Sequence, residues 1–149
     1  METNKFELAT AEENKYLAEI FETKAVNETN SRIRHTTTTD NKLLFNALSG
    51  KSEPIKRYLG ETVEVTDIVV TGSDVAEIVG DASSDKVNKP VVHFFCSDGK
   101  HLSTLSNGIV KNVRDLLSCG MIPTVECPLR IRFEEVETPK GTAHIFDLV

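Results

Sequence analysis

From residue 61 onward the chain is predicted to be a mainly β domain of five strands, with one helix between the third and fourth and a helical extension before the first. Three observations predict it. Runs rich in β-branched residues alternate apolar and polar positions at "TVEVTDIVV", "VVHFFC", "HLSTL", "LRIRFEEV" and "TAHIFDLV". Between the second and third run stands Asp98-Gly99, the signature of a tight hairpin turn. Between the third and fourth, Ile109, Val110, Val113, Leu116 and Leu117 recur at helical spacing and stop at Gly120. The order β-β-β-α-β-β is that of a five-stranded Greek-key barrel, the OB-fold. An α+β sandwich that pairs the same elements differently is the competing architecture.

Taken in order, the first element is a helix. Thr10 and Glu13 form a capping box, and Tyr16, Leu17, Ile20, Phe21 and Lys24 follow at spacings of three and four. Residues 25–40 lose that period and are rich in Asn, Thr and charge, which predicts a linker or extended arm. Asp40 caps a short helix over "NKLLFNALSG", and "EPIKRYLG" adds one more turn. After the first strand, residues 71–90 carry two glycines, two Ser-Asp pairs and Pro90, and predict a long loop. Ser106 or Asn107 caps the long helix, and "MIPTVECP" is a loop held by two prolines. Two units follow: a helix and arm over 1–40 and the barrel over 41–149.

Composition excludes several classes. Hydrophobic residues make up 39% and charged residues 27% of 149, the balance of an ordinary globular domain. No apolar run approaches the roughly 20 residues that span a bilayer. "METNKFELATAEEN" has neither a basic nor an apolar leader region, so no secretory signal is expected. The three cysteines form no CxxC pair and are read as reduced thiols of a cytoplasmic protein. The four histidines stand at no recognised metal spacing, and there is no GxSxG, P-loop or GxGxxG. Neither enzyme activity nor a metal or cofactor is expected.

The net charge of −6 is unevenly spread. Residues 31–60 hold six bases against two acids, while residues 61–100 hold eight acids against three bases. A local positive patch attracts phosphates even on an acidic molecule. OB-folds take oligonucleotides across strands two and three, between the strand 1–2 and strand 4–5 loops, with rings for bases and cations for phosphates. The strand 1–2 loop supplies Lys86 and Lys89, the hairpin Lys100 and His101, and the last turn Lys140. Strand two offers His93 and Phe95 on one face, or Phe94 and Cys96 on the other. Only one of Phe94 and Phe95 points into the barrel; the other is exposed or covered by the N-terminal segment. Arg130 and Arg132 share one face of strand four, about 7 Å apart, and are expected to carry more of the contact than any single aromatic. Pairing with Glu64 and Glu134 is the alternative use for them. The basic block adds Arg32, Arg34, Lys56, Arg57 and Tyr58.

The stretches "NALSG", "PIKRYLGETVEVTDIVV", "KPVVHFFCSDGKHLSTLSNGIVKNVRDLL" and "PLRIRFEEVETPKGTAHIFDLV" together resemble the single-stranded DNA-binding proteins of tailed bacteriophages. The shared features are a short Asn-Ala helix, a G-x-T-x-x-V-x-D strand, a D-G-K hairpin, a Ser-x-Gly helix start and a P-L-x-I-x strand closed by x-K-G. The resemblance covers about residues 46–149. It implies an OB-fold that coats single-stranded DNA during phage replication or recombination, in the host cytoplasm. Expected partners are single-stranded DNA, replication or recombination proteins and further copies of the chain. One departure is the C-terminus, which lacks the acidic tail through which bacterial homologues recruit replication proteins. An OB-fold module that binds a host or phage replication protein, with the acidic N-terminal helix as docking element, is the alternative function.

Overall fold

A computed structural model describes residues 24–25, 33–49, 51–74 and 87–149. Most of the expected N-terminal helix lies outside them, and its last residue, Lys24, belongs to a short strand. The elements are β1 (Lys24–Ala25), β2 (Ile33–Thr36), α1 (Asn41–Ser49), β3 (Glu53–Pro54), a 3-10 turn over Ile55–Tyr58, β4 (Thr62–Asp74), β5 (Val87–Cys96), β6 (His101–Thr104), α2 (Asn107–Ser118), β7 (Leu129–Thr138) and β8 (Gly141–Leu148). The protein is mainly β, and its sheet curls into a half-barrel with two helices among the described residues. The sheet path is β3-β6-β5-β4-β7-β8, with β1 on β5 and β2 on β4.

β4 organises the sheet. Its period-two pattern puts Val63 and Val65 in the core, but a register shift between Val65 and Asp67 leaves Thr66 as an extra residue. Beyond that bulge the inward positions become Ile68 and Val70, and Val69 turns to the other face. Thr66 settles into the distortion by donating from Oγ1 to the Phe95 carbonyl at 3.2 Å. The bend lets one edge of β4 pair with β7 over residues 62–65 and with β2 over 69–71, while β5 follows the other edge. Residues 71–74 and 87–90, expected as loop, therefore extend β4 and β5. Pro90 lies in β5 between the stretches paired with β1 and with β6, where no described residue is its register partner on the outer edge.

The main core lies inside the curl. Phe94, Phe133 and Phe146 meet edge to face with ring centres 5.4 to 6.4 Å apart. The apolar stripe of α2 closes the core from one side with Ile109, Val113, Leu116 and Leu117. A second, smaller cluster forms on the outside, where Leu43, Leu44 and Ala47 of α1 pack over Val69 and Phe95. Asp40 starts α1 as expected, its carboxylate accepting from the Lys42 N–H at 2.9 Å. Ser106 does not cap α2 with its side chain; its hydroxyl donates instead to the His144 carbonyl of β8 at 3.3 Å. Gly99 and Gly120 have φ of +92 and +79°, as the hairpin turn and the helix end require.

Candidate nucleic-acid interface

A cleft of about 630 Å³ opens between the start of β5, the start of α2 and the β7–β8 turn. Lys89 stands on the β5 side and Lys140 on the turn, with Thr138, Thr142 and His144 between them. Ser106, Asn107 and Gly108 form the remaining wall. The first turn of a helix presents N–H groups and the positive end of the helix dipole, so this wall favours anions as the two lysines do. Thr138 Oγ1 donates to the Gly141 carbonyl at 2.7 Å, which fixes the turn that carries Lys140. Gly141 itself has φ +121°, a conformation that favours glycine.

Arg130 and Arg132 are elsewhere. Both lie on the outward face of β7, opposite Glu64 and Thr62 of β4. Arg130 is exposed. Arg132 is half-buried, with Nε 3.5 Å from Glu134 Oε1, and Asp147 is its register partner on β8. Arg132 is six residues from Thr138, roughly 20 Å along the strand, so the arginines belong to a different surface from the cleft.

A third basic group surrounds the 3-10 turn. Lys56 and Arg57 are exposed, and Arg57 lies 3.3 Å from Glu53. The Tyr58 hydroxyl donates to Glu53 at 2.8 Å, and the Lys100 ammonium sits 5.6 Å from the centre of its ring. Lys100 also pairs with Asp98 of its own hairpin. Tyr58 and Lys100 are therefore already engaged with each other and with carboxylates. Arg34 lies on β2, half-buried. Arg32 and Lys86 lie outside the described residues.

His93 and Phe95 are buried, at 3% and 5% exposure, with Phe95 beneath α1, so neither offers a ring face to a base in this arrangement. They form a layer with His101. Its ring stacks on Phe95 at 4.3 Å between centres, and its Nε2 lies 2.9 Å from His93 Nδ1. His93 Nε2 lies 3.2 Å from Thr71 Oγ1. Burial first, and then the proximity of His101, holds His93 down to about 4. The second aromatic is covered rather than exposed, and the cover comes mainly from α1, with Ile33 of β2 as the contribution of residues 1–40. Among the described residues no group of His, Cys, Asp or Glu could hold a metal ion. None of their helices is long and apolar enough to cross a membrane.

A family model described as phage single-stranded DNA-binding protein matches residues 23–148. The chain belongs to that family. No curated protein and no solved structure matches it. The match begins well before residue 46, where the resemblance in the sequence starts, and so takes in β1, β2 and α1.

Two of the sequence features that carry the resemblance have local physical reasons. In Asp98-Gly99-Lys100 the carboxylate accepts from the Lys100 N–H at 3.1 Å while Gly99 takes the left-handed turn conformation. In Ser106-x-Gly108 the serine binds β8, and glycine lets the helix start press against the His144 carbonyl, where a Cβ would collide. Sequence reasoning did not select Thr104, Thr142 or His144, which line the cleft beside the lysines. Isolated hydroxyls and a lone histidine carry no spacing signal, and only the folded sheet brings them to one place.

Proposed function

We propose that this chain binds single-stranded DNA with little sequence preference and coats it in the host cytoplasm during phage DNA replication or recombination. Its scaffold in this reading is an OB-like barrel of β4 to β8 with α2, within a unit over residues 41–149, and residues 1–40 are an accessory arm. The pairing of β4 with both β5 and β7 supports the barrel, because it puts the five strands in the order third, second, first, fourth, fifth. The observation that carries the function is the cleft. Lys89, near the start of the second barrel strand just after the strand 1–2 connection, and Lys140, in the strand 4–5 turn, line one groove with a helix start, and OB-folds hold oligonucleotides between those two connections. Its positive lining and exposed hydroxyls suit a phosphate chain, and the protein acts by binding rather than by catalysis.

The experiment is a titration of labelled oligo-dT at increasing salt, with a duplex of the same length beside it. Binding should weaken linearly in log salt, with a slope near −0.7 for each phosphate contact, and the duplex should bind less tightly. Absence of binding at low salt, where a phosphate-driven complex is tightest, would overturn the reading.

A further inference from the structure

We infer that Phe45 is a base-stacking platform for single-stranded DNA, with Lys42 one turn earlier on α1 meeting a neighbouring phosphate. The inference rests on the proposed function and adds to it a surface outside the cleft. The packing of α1 is complete without Phe45: Leu43, Leu44 and Ala47 make the contact with Val69 and Phe95. Phe45 points the other way and is 69% exposed. Phe94, Phe95, Phe133 and Phe146 are buried, and the half-buried Tyr58 has its ring beside Lys100. Among the described residues, Phe45 is thus the phenylalanine whose ring is open to a ligand.

Its surroundings select the ligand. One turn away on either side stand Asn41, Lys42 and Ser49, all exposed and polar, and the half-buried Leu48. A protein partner would need a contiguous apolar patch, whereas an isolated ring beside a cation matches a base joined to its phosphate. Residues 31–60 hold six bases against two acids, in a chain whose net charge is −6. Position agrees with composition. α1 lies over Phe95 on β5, six residues along the strand from Lys89 at the cleft and roughly 20 Å from it. A strand leaving the cleft along β5 would meet α1 instead of the sheet, because α1 already covers Phe95.

The chain has no Trp, so Phe45→Trp creates a single fluorescent reporter at the proposed contact. Oligo-dT should quench its emission. Phe45→Ala and Phe45→Leu should each weaken oligo-dT binding by roughly 5- to 100-fold with the salt slope unchanged, because stacking releases no counterions. Lys42→Ala should instead lower the slope by about 0.7, as expected when one phosphate goes unmet. Thermal melts of all four variants should match wild type, since both side chains are exposed. Wild-type affinity in Phe45→Ala or in Phe45→Leu, or Trp emission unmoved by saturating DNA, would overturn the inference. Failure of the wild-type protein to bind oligo-dT at low salt would instead overturn the proposed function beneath it.

Discussion

At the scale of single residues, His93 shows how burial sets a charge state. It lies between Thr71 and His101, and its value of about 4 against the ordinary 6.5 means that the folded protein refuses a proton the unfolded chain accepts. The unfolded state therefore binds more protons between those values, and stability falls as pH drops through that window. The shift corresponds to at most about 3 kcal/mol. His35 and His101, also lowered by burial, act in the same direction, while Asp67, raised by burial, acts in the opposite one. Thermal melts at pH 7 and pH 4.5 should show the lower midpoint at pH 4.5, and His93→Gln should flatten the difference; equal pH dependence in both proteins would remove His93 as its source. Cys96 is a second case. Burial pushes its thiol up to about 11, whereas Cys119 and Cys127 are exposed. Thiol labelling of the native protein should modify two cysteines quickly and the third only on unfolding.

At the scale of elements, the contact between α2 and β8 builds the cleft wall. β8 is the last strand of the sheet path, and α2 covers its outer edge: Ser106 donates to the His144 carbonyl, and Asn112 Oδ1 accepts from the Phe146 N–H at 3.1 Å. A Cβ at Gly108 would meet backbone there, which cannot swing aside as a side-chain end can. Gly108→Ala should cost about 2 kcal/mol in denaturant unfolding and weaken oligo-dT binding with it. The basic groups can be ranked in the same assay. Lys89→Ala with Lys140→Ala should lower the salt slope by about 1.4, because two phosphates are then left without a cation. Arg130→Ala with Arg132→Ala should lower it less, because Glu64, Glu134 and Asp147 already stand around those arginines. The reverse ranking would move the DNA path to the face of β7.

At the scale of the whole molecule, residues 33–37 are built into the sheet. β2 pairs with β4, and residue 37 adds two hydrogen bonds, Thr37 N–H to the Ile68 carbonyl at 3.0 Å and Ile68 N–H to Thr37 Oγ1 at 2.9 Å. Deleting residues 1–40 should therefore destabilise the protein by at least about 2 kcal/mol and expose the edge of β4 to association. Urea unfolding together with light scattering checks both effects. A truncated chain as stable and as monodisperse as the parent would show that this segment does not support the sheet.

Whatever rests on neighbours along the chain is legible in the amino acids alone. Alternation over 62–65 and 129–133, the Asp98-Gly99 turn, the stripe of α2 and the glycine that ends it are local in origin, and each stands in the fold where its pattern places it. Lys140 is legible as a residue of the last turn, whereas Lys89, expected in a loop, stands in β5 because the β4–β5 ladder runs further than the local pattern indicates. What depends on partners distant in sequence is settled only when the sheet closes. One extra residue at Thr66 exchanges the faces of β4, because side chains alternate with period two, and no local pattern announces a bulge formed against β5. α1 buries Phe95 and leaves Phe45 in solvent, a choice between ring faces that is made only when Leu43, Leu44 and Ala47 find Val69 across some twenty residues of chain. Arg130 and Arg132 share a face, as spacing on a strand dictates, but the carboxylates around them come from β4 and β8 as well as β7, and only the register of the sheet sets that environment.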